Sequence, residues 1–261
     1  MSFVESMRRD WDDRARKDAF YYIASWRKDW DLPGFLASGE EDCGRLVVPA
    51  LQRAGFSAEG KTMLELGCGA GRMTHAFAKR FERVIAFDVS SEMLSRARQN
   101  LKDAHNVTWM QGNGIDLREA PDESVDFVFS YLVLQHLPKD ELVRAYIREM
   151  HRVLRRDGVC LFQFNGMRRP TMNWRGRLIW AGVDVLWSIG LEGVSRSAAR
   201  LFGFDPQMAG KSWHGIAMSA GEVVESVRES GGTVLELTGE DTPMAWCCAK
   251  KAPSSEYRRS S

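Results

Sequence analysis

The chain reads as an α/β protein built on a seven-stranded, mostly parallel sheet with an antiparallel last strand, helices on both faces and a helical cap. Three observations carry this reading. Between residues 61 and 165, short apolar runs alternate with helical patterns, as in strands joined by right-handed helical crossovers. The fourth run, VDFVFSY at residues 125–131, is apolar on both faces, as a strand covered by helices must be. The link TGEDTP at residues 238–243 is too short for a crossover, so the two strands it joins pair antiparallel.

Residues 1–60 are helical and mixed in polarity, with aromatics at Trp11, Phe20, Tyr21, Tyr22, Trp26 and Trp30. DLPG at 31–34 marks a break, and a helix over 45–54 ends at Gly55. The first strand is 62–67, followed by a helix over 72–81. The second strand is 83–88 with a helix over 91–100, the third 107–112 and the fourth 125–131. A helix over 139–154 sets Leu142, Tyr146, Ile147, Met150, Val153 and Leu154 on one stripe. Asp157-Gly158 then turns the chain into a fifth strand, 159–164.

Residues 166–218 break the rhythm, with Trp174, Trp180, Trp187 and Trp213 among many arginines. A stretch of that length has its own structure or a binding role. Ser219 with Glu222 three residues on forms a capping box that opens a helix to about Glu229. Strands at 233–237 and 245–250 complete the sheet. The tail from Pro253 frays.

A length of 261 residues with 36 basic and 35 acidic side chains suits one large domain or two small ones. The net charge of +1 removes the bulk attraction on which nucleic-acid binders rely. The five cysteines, Cys43, Cys68, Cys160, Cys247 and Cys248, lack any CxxC or nearby Cys/His spacing, so neither a disulfide framework nor a metal site is expected. The N-terminus is too polar for a secretory signal. The longest apolar stretch, 178–191, carries Asp184 and falls short of the ~20 residues a bilayer needs. A cytoplasmic protein without a transmembrane segment is expected.

The chemistry gathers around Glu65-Leu66-Gly67-Cys68-Gly69-Ala70-Gly71, where strand one passes into a helix. Glycines there permit a tight turn and let a ligand lie on bare backbone beside a helix N-terminus. A dinucleotide fingerprint would place its third glycine at position 72, which is Arg72. Asp88, at the end of strand two, is placed to accept hydrogen bonds from ribose hydroxyls. The loop could equally be a plain turn and Asp88 a helix cap, although Ser90 and Ser91 stand closer to that job.

With LELGCGAGR, VIAFDVS, QGNGIDL and FSYLVLQHLP in these places, the sequence resembles the class I S-adenosylmethionine-dependent methyltransferases. The resemblance covers roughly 61–165 and 219–250. It implies a Rossmann-like core in a single domain over 1–261, an N-terminal helical lid over 1–60 and an inserted acceptor cap over 166–218. It implies S-adenosylmethionine as cofactor, leaving as S-adenosylhomocysteine, held by Glu65, Gly67, Cys68, Gly69, Gly71, Asp88 and Val89. Asn113 would meet the adenine amino group where the family commonly has Asp, with Asp116 an alternative, and the Gly114 backbone would meet the ring. Met93 would pack on adenine or serve only the core. The Ser130 and Tyr131 backbone would approach the methionine half, and Arg72 would pair with the cofactor carboxylate or with a surface acid. The leading helix implies Tyr21 and Tyr22 at the methionine end, or simple packing against the sheet.

Methyl transfer from a sulfonium is an in-line displacement in which proximity and orientation supply ~7–11 kcal/mol, so a base is optional. His136, just past strand four, and His214, before the last helix, are the candidate bases. Each could instead pack or cap a turn. His75 reads as an ordinary helix residue, and His105 and His151 as surface positions. Arginines of 166–218, including Arg168, Arg169 and Arg200, suit an acidic or aromatic acceptor and equally a solvated helix face.

The leading reading is methylation of a small molecule at O, N or S. RNA or protein methylation is the rival, disfavoured by neutral charge and by Ser130-Tyr131-Leu132-Val133 where an asparagine-proline-proline motif would stand. A catalytically silent cofactor-binding protein is the alternative of another class. The aromatics of 1–60 and 166–218 could line a pocket or a homodimer interface.

Overall fold

The computed structural model describes residues 3–137, 139–167, 178–179, 181–183, 185–186, 191–202 and 216–252. Strands β1 (Thr62–Leu66), β2 (Arg83–Asp88), β3 (Val107–Gln111), β4 (Val125–Ser130), β5 (Leu154–Phe164), β6 (Gly232–Thr238) and β7 (Ala245–Lys251) form one sheet. Its order is β3-β2-β1-β4-β5-β7-β6. The first five strands are mutually parallel, and β7 runs antiparallel to both neighbours. The chain order reverses between β1 and β4, which opens a crevice at their carboxyl ends.

Both central strands are buried along their whole length, which explains their unbroken apolar character. Alternation along β4 sends Phe127 and Phe129 to one face and Val128 to the other. On the first face Phe127 stacks on Phe81, with centroids 5.6 Å apart, and Phe77 meets Phe129 edge-on at 5.0 Å. On the second face lie α6 (Asp140–Val153) and α8 (Ala220–Glu229). Ser219 and Glu222 form the expected capping box at the start of α8. Helix α5 (Ser91–Asn100) starts at Ser90, whose hydroxyl accepts from the Met93 N–H; α7 (Glu192–Leu201) lies between β5 and α8.

Several local expectations give way to packing. The helix expected over 72–81 shortens to α4 (Thr74–Ala78). Helix α2 (Leu32–Asp42) presses its backbone against the preceding turn: a Cβ on Gly39 would stand 1.9 Å from the Arg72 carbonyl oxygen. The break between α1 and α2 spans 24–31 and ends at Asp31, so residues 31–34 cap and start α2. Asp31 Oδ1 accepts from the Gly34 N–H and Pro33 sits in the first turn. The helical path continues through a π-turn (Cys43–Val47) into α3 (Val48–Arg53). Strand β5 begins early because Leu154 already pairs with Val125, so Asp157, at φ +61°, lies in a bulge inside the strand.

His151, read as a surface residue, is buried. It stands on the stripe Val143, Ile147, His151 of α6, and its Nδ1 lies 2.8 Å from the Ile147 carbonyl. Helix α1 (Phe3–Ile23) is two helices joined at Asp18, which is extended (φ −166°, ψ 87°) and accepts from the Tyr21 N–H. No helix among the described residues is long and apolar enough to cross a membrane.

Candidate active site

A cavity of about 480 Å³ opens at the carboxyl ends of β1, β2 and β4, roofed by α1. This is within the range of small-ligand sites. Its sheet-side wall holds Glu65, Gly67, Cys68, Gly69, Asp88 and Val89. The loop after β3 adds Gly112, Gly114 and Asp116, the loop after β4 adds Tyr131 and His136, and α1 with its following turn adds Trp11, Arg14, Tyr22 and Trp26.

The glycine loop is drawn tight against β2, with the N–H groups of Gly67 and Cys68 both donating to the Phe87 carbonyl. Gly69, at φ +53°, donates its N–H to Asp88 Oδ2 at 2.8 Å, and an added Cβ would stand 2.7 Å from Ile23 of α1. Gly71 does not reach the cavity. Its φ is +89°, and a Cβ there would stand 2.9 Å from Leu101, so this glycine serves the close approach of the loop to the end of α5.

Asp88 accepts from the Gly69 N–H and, through Oδ1, from the Ser90 N–H at 2.9 Å. A carboxylate has about four acceptor sites, so capacity remains for two hydroxyls. Burial pushes its pKa up to about 6. Glu65 is buried, accepts from Thr74 Oγ1 at 2.6 Å and is pushed by burial up to about 7. The Cys68 thiol is also buried and pushed up, which leaves it without thiolate character. Among the described residues no cluster of His, Cys, Asp or Glu could hold a metal, and all five cysteines are free and buried.

Arg72 pairs with a buried acid and not a surface one: its Nη1 lies 2.7 Å from Asp42 Oδ2. Its guanidinium lies 5.2 Å from the Trp26 ring centroid and 5.8 Å from that of Tyr131. Its Nε is buried without a hydrogen-bond partner among the described residues. Met93 lines the cavity and belongs to the cluster of Ala15, Ala19, Phe35 and Ala70, so it serves both places.

In the loop after β3, Asn113 turns inward. Its Oδ1 accepts from the N–H groups of Ile115 and Asp116, and its Nδ2 donates to Asp116 Oδ1 at 2.6 Å. Asp116 and Gly114 stand on the cavity wall and Asn113 does not. Hydrogen bonding to Arg118 holds the Asp116 carboxyl well below the usual carboxylate range. Ser130 is buried with its Oγ unpartnered among the described residues, outside the wall.

Of the tyrosine pair only Tyr22 lines the cavity; Tyr21 packs edge-on against it. Arg14 went unnoticed in the sequence. Its guanidinium lies 4.8 Å from the Trp11 ring centroid and 5.4 Å from that of Tyr22, with Asp10 at 3.0 Å. The signal was the spacing of Trp11 and Arg14 on one face of a helix. His136 ends a 3₁₀ turn (Leu134–His136), and its ring meets Trp11 edge-on at 5.6 Å. His214 lies outside the described residues, as do Arg168, Arg169 and the four tryptophans of 166–218. His75 is on α4 and His105 is exposed.

A family model described as a methyltransferase domain matches residues 64–162. Trans-aconitate 2-methyltransferase of Azoarcus sp. (strain BH72) is 30% identical over 255 residues, covering 88% of this chain and 94% of that protein. Malonyl-[acyl-carrier protein] O-methyltransferase of Serratia marcescens is 36% identical over 118 residues, 45% of this chain and 44% of that one. Among solved structures, magnesium protoporphyrin IX methyltransferase from Synechocystis PCC 6803 with bound SAH shares the fold, at a TM-score of 0.60 and 18% identity. It covers 95% of this chain and all of that one. Similarity to one relative along nearly the full length of both chains, on a sheet with this strand order, makes the chain a member of the class I S-adenosylmethionine-dependent methyltransferases.

Proposed function

We propose that the chain methylates a carboxylate oxygen of a small acid held between α1 and the turn after β4. The observation that carries this reading is Arg14, a cation on the cavity wall seated against the Trp11 and Tyr22 rings. A planar guanidinium takes a carboxylate through two parallel hydrogen bonds. Its present partner, Asp10, is 55% exposed, and exchanging an exposed ion pair costs little. Two relatives support the acid class: one is named for trans-aconitate and one for a malonyl group, and both names denote carboxylate-bearing molecules.

The residues present fit S-adenosylmethionine. Asp88 has acceptor capacity for the ribose hydroxyls, and the Gly114 backbone with Asp116 suits adenine. The unpartnered Nε of Arg72 suits the methionine carboxylate, and Glu65 the ammonium. Gly67, Cys68 and Gly69 present backbone close to the ligand. The cofactor supplies an activated methyl group on a sulfonium. The protein's part is to hold the acceptor oxygen in line and keep water out. Trp11, Tyr22 and Trp26 do the latter, and their rings also tolerate positive charge. A carboxylate with a reference pKa near ~4 is already ionised at neutral pH, so no proton has to be removed.

Residues 1–60 act as the lid over a single domain, and 166–218 as the acceptor cap. In support, the inserted segment leaves and returns at the cavity rim. The Met218 N–H donates to the Asn165 carbonyl at 2.9 Å, and the Ile216 N–H to the Leu137 carbonyl at 2.8 Å. Asn165 and Leu137 both line the cavity.

The test is incubation with S-adenosylmethionine and panels of small carboxylic acids, phenols, amines and thiols, with mass spectrometry of the products. Alkali-labile methyl esters from the acid panel are expected. Turnover confined to amines, thiols or phenols would overturn the acceptor assignment.

A further inference from the structure

Asn165 follows directly on β5 and lines the cavity, as do Met167, Pro243 and Met244. Its backbone is tied down on every side. Phe164 pairs with Ala245 of β7, and the Gly166 N–H donates to the Thr242 carbonyl at 2.9 Å. A Cβ on Gly166 would stand 2.9 Å from the Ala245 side chain, so the chain lies close against the β6–β7 hairpin here. The Asn165 carbonyl in turn accepts from the Met218 N–H.

The side chain is oriented as firmly. Its Oδ1 accepts the Met167 N–H at 3.1 Å, and a backbone donor can be met only by the oxygen of the amide. Nδ2 has no hydrogen-bond partner among the described residues and is not sealed from solvent, so it opens on the cavity that the residue lines. In the strand order β3-β2-β1-β4-β5, the glycine loop and Asp88 stand at the ends of β1 and β2, whereas Asn165 stands beyond β4. The donor therefore belongs to the acceptor's part of the cavity. Beside apolar Met167, Pro243 and Met244, an amide N–H that finds no oxygen is costly.

We propose that Asn165 is a specificity-determining residue whose Nδ2 donates to an oxygen of the acceptor. The acceptor is then held from two elements, by Arg14 on α1 and by Asn165 at the end of β5. This narrows the substrate class to acids that present oxygen, and not N–H, towards β5. A compound that brings only N–H groups there sets donor against donor and is rejected. That the acceptor is an acid rests on the reading above; the direction of the amide follows from the Met167 N–H alone.

The experiment is ¹H–¹⁵N correlation of the side-chain amides in asparagine-labelled protein. Asn165→Asp keeps an oxygen for the Met167 N–H and loses the donor, so it identifies the Asn165 signal by its absence. Should that variant fail to fold, Asn165→Ser serves instead, since its hydroxyl can take the same N–H. S-adenosylhomocysteine is added first, then the panel of small carboxylic acids, phenols, amines and thiols. The signal is expected to keep its place with S-adenosylhomocysteine alone and to move with the acids. In turnover, Asn165→Asp should raise KM for the acid roughly 10–100-fold, with affinity for S-adenosylhomocysteine unchanged in calorimetry. A signal that no panel compound moves beyond its place with S-adenosylhomocysteine, or a KM unmoved by the substitution, overturns the proposal. If phenols move the signal and acids do not, the acid reading alone falls and the donor role of Asn165 stands.

Discussion

On its sheet side the cavity is walled by backbone and by two carboxylates at strand ends, whereas on its α1 side it is walled by long side chains on one kinked helix. The sheet side is anchored by ladders: Gly67 and Cys68 share the Phe87 carbonyl, and Gly69 bonds Asp88. The α1 side hangs on fewer polar ties. Asp12 Oδ1 accepts from Ser90 Oγ at 2.6 Å and from the Glu92 N–H at 3.2 Å, and Arg16 meets Glu92 at 3.1 Å. A ligand group common to every turnover belongs on the rigid wall. The variable partner belongs on the wall that side-chain substitution can rebuild.

The sharpest way to break this contrast is Gly69→Arg. With φ at +53° and Ile23 of α1 already 2.7 Å from the Cβ position, cofactor binding should vanish in calorimetry. Asp88→Ala should weaken cofactor binding roughly 10–100-fold, from the loss of about 1.5–3 kcal/mol of charged hydrogen bonding. Unchanged affinity would remove Asp88 from the ribose role. Arg14→Ala should raise KM for the acid about tenfold with cofactor affinity unchanged. Parallel changes in both constants would mean that the two walls are not separate. Asp12→Ala, which removes a ligand of the α5 N-terminus, should cost about 1 kcal/mol and show as faster limited proteolysis within α1.

Protonation sharpens the same contrast. Asp88, at about 6, and Glu65, at about 7, hold their protons longer than in the unfolded chain. Their contribution to stability is therefore full below about pH 4 and is lost as pH rises through about 6 to 7. In the proposed ribose role Asp88 acts ionised, so affinity should be flat above about pH 7 and fall below about pH 6, with proton release on binding near pH 6. His151 acts in the other direction: burial lowers its pKa, so its contribution is full above about 6.5 and is lost as pH falls. A titration in which binding strengthens below pH 6 would contradict the assigned state of Asp88.

The limits of β2 and α5, the capping box at Ser219 and the antiparallel close of the sheet were legible because each follows from neighbours in the chain: alternation, a cap hydroxyl, a short link. Asp88 was legible for the same reason, standing at the end of a strand beside a glycine loop. Other residues were not, because their partners come from far along the chain. The identity of position 72 does not disclose that Asp42 will be buried against it. Asn113 has the right chemistry for adenine but spends it on the turn it closes.

The sequence by itself determined the layered α/β architecture, the glycine loop at the first crossover and the acid that ends the second strand, since local periodicity and turn chemistry suffice for these. Only the tertiary structure decided that His151 is interior, that Gly71 faces Leu101 and not the cavity, and that Tyr22 and not Tyr21 reaches the site. It also decided the orientation of the Gln163 amide on β5, whose Oε1 accepts the Leu132 N–H while its Nε2 faces the Pro243 carbonyl. The physical reason is that a hydrogen bond's direction is set by whatever atom stands opposite, and that atom belongs to a segment brought close only by folding.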